Sequence, residues 1–199
     1  MREDLTLAKE EKWSTACHEA GHALAIHVLF PGRTVDYVTI QPRSQSLGFV
    51  SYRDDSENAV GHLGMTCNEL SCQLSVFLAG REAERLMLGA GGMSNGAGSD
   101  LHKANHLAQS AVMRWGFDTE VGPLRLGQEE LTADQALTEK CLQRVGAWLE
   151  EAETSVHQLL ETRLETLELL TSSLYEAESI EELEFLRLVG RSNDERSKP

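Results

Sequence analysis

The apolar positions near the start of the chain repeat at helical spacing. Small and aliphatic residues recur every three or four positions over 13–30, which predicts a helix that Ser14 or Thr15 caps at its start. Beyond this helix, apolar and polar residues alternate over 35–41 and again over 47–52, with a turn-like segment between them. Because alternation is typical of half-buried strands, we predict a β-hairpin.

Helical spacing returns after the hairpin. Apolar stripes over residues 60–88 predict one long helix or two joined helices. Five glycines then fall within residues 89–98, and because glycine loses much backbone entropy on ordering, we expect this segment to be mobile. Ser99 is the predicted N-cap of a helix over residues 100–114, and Gly116 is its predicted C-terminal glycine.

The C-terminal part is acidic and amphipathic. Leu160, Leu167 and Leu174 fall at heptad spacing within residues 132–189, which predicts two or three amphipathic helices. Most of the net charge of −14 lies in residues 127–199. We interpret this region as a helical extension of one domain rather than as a second domain.

Composition and charge narrow the class of protein. The 199 residues are 41% hydrophobic and 25% charged, which is ordinary for a globular domain. A net charge of −14 repels phosphate, so we expect no nucleic-acid partner. No apolar run approaches the roughly 18 residues of a membrane helix, so we expect no direct membrane insertion. Four cysteines without a Cys-x-x-Cys pair, and no secretory leader, predict a cytoplasmic location.

One pentapeptide carries candidate chemistry: His18-Glu19-Ala20-Gly21-His22. Two imidazoles at positions i and i+4 lie on one helix face, at the spacing that lets both bind one zinc ion. Glu19 lies one step round the helix, where it can accept a proton from a zinc-bound water. We therefore predict His18 and His22 as metal ligands and Glu19 as the catalytic base.

A hydrolytic zinc site needs a third protein ligand. The residues alone leave three candidates open: Glu82, Glu84 and Asp100. His102 and His106 form another i, i+4 pair, which we interpret as a solvated helix face, with a second metal site as the alternative.

Five ordered stretches carry a resemblance that spans roughly residues 10–185. They are TACHEAGHAL at 15–24, VTIQPR at 38–43 with 47–48, LAGREAE at 78–84, GSDLHKA at 98–104, and MRWGF at 113–117 with 122–124. In these stretches the chain resembles the peptidase domain of the FtsH family of AAA zinc proteases.

The resemblance implies a zinc metalloendopeptidase that cleaves unfolded or flexible polypeptides. It also implies that Asp100 is the third zinc ligand, which makes Glu84 a candidate for orienting a ligating histidine. One strand of the 35–52 hairpin would border the substrate cleft and pair with an extended peptide. By analogy with the family, six copies would form a ring.

The chain departs from the family because it contains no Walker-type phosphate-binding motif and no membrane helix. It is therefore expected to be an excised domain, a free-standing peptidase or a domain that docks on a separate AAA ATPase. The alternative function is a catalytically idle peptide-binding or assembly module that depends on such an ATPase. A weaker alternative is a metal-assisted hydrolase of a non-peptide amide.

The predicted fold is mainly α with a small β-sheet, in the α+β class. The prediction treats the chain as a single zinc-peptidase domain with three regions: a catalytic core over 1–126, a helical C-terminal subregion over 127–190 and a frayed tail over 191–199.

Overall fold

The computed structural model describes residues 8–42, 47–55 and 64–195. About 69% of the structure is helical, which confirms the predicted mainly α fold with a small sheet. The elements in chain order are α1 (Lys9–Leu29), β1 (Arg33–Thr39), β2 (Phe49–Asp54), α2 (Cys67–Leu88), a 3-10 turn (Ala90–Gly92), α3 (Gly98–Met113), α4 (Gln128–Ala133), α5 (Gln135–Glu161), α6 (Leu164–Ala177), β3 (Ser179–Glu181) and α7 (Glu182–Glu195).

Helices α1 and α2 pack at the centre of the molecule. A Cβ on Gly21 of α1 would lie 2.5 Å from the carbonyl oxygen of Ala79 and 2.6 Å from the Cβ of Ala83, both on α2. Glycine at this position therefore allows the two backbones to approach more closely than any side chain would permit. On its other sides α2 contacts α3 and α5, while α1 contacts α6.

The sheet has three antiparallel strands in the order β2-β1-β3. Val38 of the central strand pairs with Val50 on β2 and with Ile180 on β3, and the pairing with β2 has a bulge between Val35 and Tyr37. The β1–β2 hairpin agrees with the alternating pattern. The third strand was not predicted, because three residues are too short to show alternation.

The helix starts differ from the predicted caps. Helix α1 begins at Lys9 and has Ala8 as its N-cap, so Ser14 and Thr15 lie inside it, and the Thr15 hydroxyl donates to the carbonyl of Glu11. Ser99 also lies inside its helix, because α3 begins at Gly98. The capping predictions for these residues were wrong, since the helical backbone continues upstream of each one.

Helix α2 begins with a capping box. The Thr66 hydroxyl accepts a hydrogen bond from the Glu69 amide, and the Glu69 carboxylate accepts one from the Thr66 amide. The predicted helix over 60–88 therefore starts later, and residues 60–63 lie outside the described residues. At the end of α3, Gly116 adopts a positive φ of 65°, as expected of a glycine at a helix terminus.

The C-terminal region forms α4 to α7 and β3. Leu160, Leu167 and Leu174 are all buried in the core, so the heptad-spaced stripe packs within the chain. Helix α7 continues to Glu195, beyond the predicted end of the helical region, and residues 196–199 lie outside the described residues. Within the described part of the chain, no helix combines the length and apolar character that crossing a bilayer requires.

Candidate metal centre

Helices α1 and α3 bring three potential ligands together. The Nε2 atoms of His18 and His22 lie 3.1 Å apart, and Asp100 Oδ2 lies 3.4 Å from each of them. Asp100 occupies the first turn of α3, directly over the histidine face of α1. Among the described residues, this is the group of three or more histidine, cysteine or acidic side chains whose donor atoms converge closely enough for one ion.

The spacing of these atoms fits a tetrahedral cation. A zinc ion with ligand bonds of about 2.0–2.1 Å places its donor atoms about 3.3 Å apart. The three observed separations of 3.1, 3.4 and 3.4 Å are close to that value. Two imidazoles and one carboxylate also form a donor set that zinc accepts.

The second nitrogen of each imidazole is held by an acceptor. His22 Nδ1 lies 2.8 Å from the backbone carbonyl of Val76, and His18 Nδ1 lies 2.7 Å from Glu84 Oε1. With Nδ1 held in this way, the Nε2 atoms of the two rings face each other and Asp100. Such partners orient metal-binding histidines and make them better ligands.

Glu84 connects three parts of the chain. Besides His18, its carboxylate accepts hydrogen bonds from the Ser94 amide at 2.6 Å and from the Ser14 hydroxyl at 3.2 Å. Burial by itself raises the pKa of Glu84, but the hydrogen bonds from His18 and Ser94 outweigh burial and lower the pKa below its ordinary value. Glu84 thus ties α1 and the glycine-rich segment 89–98 to α2.

Gly80 on α2 makes room for His18. A Cβ at this position would lie 2.6 Å from both Cε1 and Nε2 of the His18 ring. Real carbon atoms do not approach this closely, so any side chain at position 80 would displace the imidazole. The packing of the His18 ring against α2 therefore requires glycine at position 80.

Glu19 lies beside the histidines and is almost completely buried. A Cβ on Gly48, which precedes β2, would lie 2.7 Å from Glu19 Oε1 and 2.7 Å from the carbonyl oxygen of Thr39. Burial raises the pKa of Glu19, against the opposing effect of His22 and His18. Gly48 thus allows the backbone immediately before β2 to lie against the Glu19 side chain.

The pKa values of His18 and Asp100 are shifted in opposite directions. Burial alone would lower the pKa of His18, but hydrogen bonds to Asp100 and Glu84 raise it to about 9. Burial alone would raise the pKa of Asp100, but hydrogen bonds to His18, His22 and Lys103 hold it well below its usual range. Both shifts report the same close packing of imidazole and carboxylate.

An open cavity of about 490 Å³ surrounds the centre. Its wall includes His18, Glu19, His22 and Asp100, together with Phe49, Val50 and Tyr52 of β2. The edge of the sheet therefore forms one side of the cavity, and an extended chain lying against β2 would pass next to Glu19.

Other sequence candidates lie elsewhere. Glu82 is buried on the side of α2 that faces α5, where it contacts Arg81 and Arg85. His102 and His106 are exposed on α3 and line a neighbouring cavity of about 650 Å³. Neither they nor Glu82 belong to the group of converging donor atoms.

Sequence reasoning did not single out several residues that shape the centre. They are Gly48, Val76, Gly80, Ser94 and Lys103. Gly48 and Gly80 lie within stretches that carry the family resemblance, so their positions were visible, but what they accommodate is clear only from the packing of α1, α2 and β2.

A mainly helical domain with a His-Glu-x-x-His helix, a converging aspartate and a bordering strand defines the class of zinc-dependent peptidases. Sequence comparison agrees, because the profile of Peptidase family M41 matches residues 5–188. The chain belongs to Peptidase family M41. This membership confirms the predicted resemblance and the predicted enzyme class, a metalloprotease.

Relatives in three bacteria are similar over most of the chain. The ATP-dependent zinc metalloprotease FtsH 1 of Symbiobacterium thermophilum is 39% identical over 180 residues, covering 87% of this chain and 28% of the relative. FtsH 1 of Rhodopirellula baltica is 33% identical, covering 96% and 29%, and FtsH of Thermus thermophilus is 32% identical, covering 94% and 30%. The chain thus spans less than a third of the length of these relatives.

Proposed function

We propose that this chain is a zinc endopeptidase domain that hydrolyses unfolded or flexible polypeptides. His18, His22 and Asp100 would hold the zinc, and Glu19 would be the general base. The observation that carries this proposal is the triangle of donor atoms, 3.1 to 3.4 Å on each side, next to a buried carboxylate.

Zinc held there would supply a Lewis acid that polarises a peptide carbonyl and acidifies water. The chain supplies the proton carrier. Glu19 accepts the proton of the attacking water and later delivers it to the departing amine, so that no proton is lost to solvent. Burial raises the pKa of Glu19, which makes it a stronger base for this transfer.

Substrate would bind as an added strand. Within the described residues, β2 pairs with β1 on one edge and has no strand on the other. Phe49, Val50 and Tyr52 of β2 line the cavity. An extended peptide hydrogen-bonded to this edge would place a backbone carbonyl beside Glu19. Because backbone hydrogen bonding requires an extended chain, a folded substrate would first have to unfold.

An ATPase would be needed to unfold the folded substrates. The relatives are named ATP-dependent proteases, and this chain matches less than a third of each. We propose that an AAA ATPase module, in the same polypeptide or in a partner, feeds chains into the cavity. A ring of six copies, as the resemblance implies, would be one way to arrange such modules.

The decisive experiment compares the parent protein with Glu19→Gln. Zinc content is measured on each preparation, and casein digestion is followed without an added ATPase. We expect one zinc per chain in both proteins, and cleavage lost by at least about a hundredfold in the variant. Glu150→Gln, an exposed glutamate on α5, is the matched control and should cleave like the parent.

Two results would contradict the proposal. Full activity in Glu19→Gln would exclude Glu19 as the base. Because casein is already unfolded, stoichiometric zinc with no cleavage by the parent would instead favour an idle peptide-binding module.

A further inference from the structure

The two oxygens of Asp100 have different partners. Oδ2 lies 3.4 Å from the Nε2 atoms of both His18 and His22. Oδ1 accepts a hydrogen bond from Lys103 Nζ at 2.9 Å. Lys103 lies one turn further along α3, so the same helix supplies both the carboxylate and the group that holds its second oxygen.

Lys103 also has a distinct place in the cavity. Among the described residues that line the metal cavity, it is the one lysine or arginine, and it shares this lining with the carboxylates of Glu19, Glu84 and Asp100. Its ammonium lies 5.9 Å from the centre of the Phe77 ring on α2. These contacts on either side place the ammonium between α2 and the Asp100 carboxylate.

We infer that Lys103 is a positioning residue that restricts Asp100 to binding the metal through one oxygen. This inference rests on the proposed function, because it concerns the same zinc site. With Oδ1 held by Lys103, only Oδ2 is directed at the histidine nitrogens, and the donor set stays at three protein atoms. Without Lys103, the carboxylate would be free to rotate and bind through both oxygens.

The contribution of this ion pair to folding is small. The Lys103 side chain is 54% exposed, and exposed pairs of this kind add little to the free energy of unfolding. Partners that orient a metal ligand, in contrast, change metal affinity by about 10–100-fold when they are removed. The effect of Lys103 should therefore appear at the metal and not in stability.

The test compares three variants of the full chain. Lys103→Met removes the ammonium but keeps the length of the side chain, and Lys103→Arg keeps a donor and the charge. Lys140→Met removes a lysine on α5 whose ammonium donates to the carbonyl of Glu120, so it changes the net charge equally, away from the site. Zinc affinity is measured by competition with a chelator on metal-free protein, and unfolding is followed in urea.

Coordination is measured separately with Co²⁺, whose visible absorption is most intense in tetrahedral sites. We expect Lys103→Met to bind zinc about tenfold more weakly and to give weaker Co²⁺ bands. Lys103→Arg should restore most of both properties, and Lys140→Met should match the parent. All four proteins should have the same urea midpoint.

The possible failures are distinguishable. If Lys103→Met binds zinc and Co²⁺ as the parent does, the inference is wrong while the zinc site stands. If Lys140→Met shows the same losses, the effect is one of net charge and the inference is wrong. If the parent itself binds no zinc, the proposed function fails, and the inference fails with it.

Discussion

Helix α2 carries two buried glutamates that face opposite sides of the molecule. Glu84 faces α1 and the glycine-rich segment, where it accepts hydrogen bonds from His18 and Ser94. Glu82 faces α5, and it accepts hydrogen bonds from Arg85 at 2.8 Å and from Arg81 at 3.2 Å.

The same side chain, equally buried, responds differently on the two faces. Burial raises the pKa of Glu82 even though Arg85 acts to lower it. The pKa of Glu84 is lowered, because hydrogen bonds from His18 and Ser94 outweigh the same burial. Arg81 also contacts Glu153 on α5, so Glu82 joins helices, whereas Glu84 orients a candidate ligand. Hydrogen-bond partners, rather than depth of burial, distinguish a carboxylate with a structural role from one that orients a candidate metal ligand.

Among substitutions on the side of α2 that faces the candidate metal centre, Gly80→Ala should have the largest effect. The added methyl would lie 2.6 Å from the His18 ring. We expect zinc affinity to fall by on the order of a hundredfold or more, and the free energy of unfolding to fall by about 1–3 kcal/mol. Chelator competition and urea unfolding measure the two effects.

Gly146→Ala is the matched control for this substitution. It lies in α5, where a Cβ meets nothing within 4 Å. This variant should keep its zinc affinity and gain about 0.5–1 kcal/mol of stability, because alanine favours a helix more than glycine does. Equal zinc affinity in Gly80→Ala and the parent would show that His18 is not displaced.

The difference between Glu82 and Glu84 is tested by replacing each of them with glutamine. Glu84→Gln should weaken zinc binding by about 10–100-fold, because a neutral amide is a poorer acceptor for His18 Nδ1. Glu82→Gln should leave zinc affinity unchanged, since Glu82 makes no contact with a candidate ligand. The opposite order would mean that the α5 side, and not the α1 side, controls the metal centre.

Glu82→Ala should reveal the structural role of the α5-facing carboxylate. It removes the shared acceptor of Arg81 and Arg85, both of which are partly exposed and can be rehydrated. We therefore expect a loss of about 1–3 kcal/mol in urea unfolding, with zinc content unchanged. Glu184→Ala breaks the exposed pair with Arg187 and should cost less than about 1 kcal/mol. An equal cost in both variants would contradict the structural role of Glu82.

The smallest expected effect is on acid sensitivity. Because the pKa of Glu84 is lowered on folding, its stabilising contribution is present above the pKa of an unfolded glutamate and is lost as the pH falls. Metal-free Glu84→Gln should thus lose less stability than the parent between about pH 5.5 and 3.5. Glu82→Gln should show no such gain, since the pKa of Glu82 is shifted the other way. Urea unfolding across this range measures the difference.

The sequence predicted those helices and strands whose own residues show a clear hydrophobic pattern. The small residues around His18 and His22 mark a buried helix, and β1 and β2 alternate clearly enough to indicate a hairpin. Strand β3 carries no such signal, because its three residues become a strand only by pairing with β1. The cap predictions at Ser14 and Ser99 failed because a good capping residue is also tolerated inside a helix.

From the residues alone, only the part of the site that lies on helix α1 was predicted. The spacing of His18, Glu19 and His22 follows from helical geometry alone. The choice among Glu82, Glu84 and Asp100 depends on which face of α2 meets α1 and on where α3 begins, and both are tertiary facts. Family resemblance indicated Asp100, and the structure places its carboxylate next to both histidines.

The pairing of β1 with β3 has a consequence for how the chain is made. Residues 33–39 emerge from the ribosome well before their partners at 179–181. Lys12 in α1 likewise cannot form its ion pair with Glu178 until that residue has been translated. A nascent chain can therefore contain every candidate ligand while the central strand still lacks one neighbour, and contacts of such long sequence separation form slowly. The region that carries the candidate chemistry is thus translated before the strand that completes its sheet.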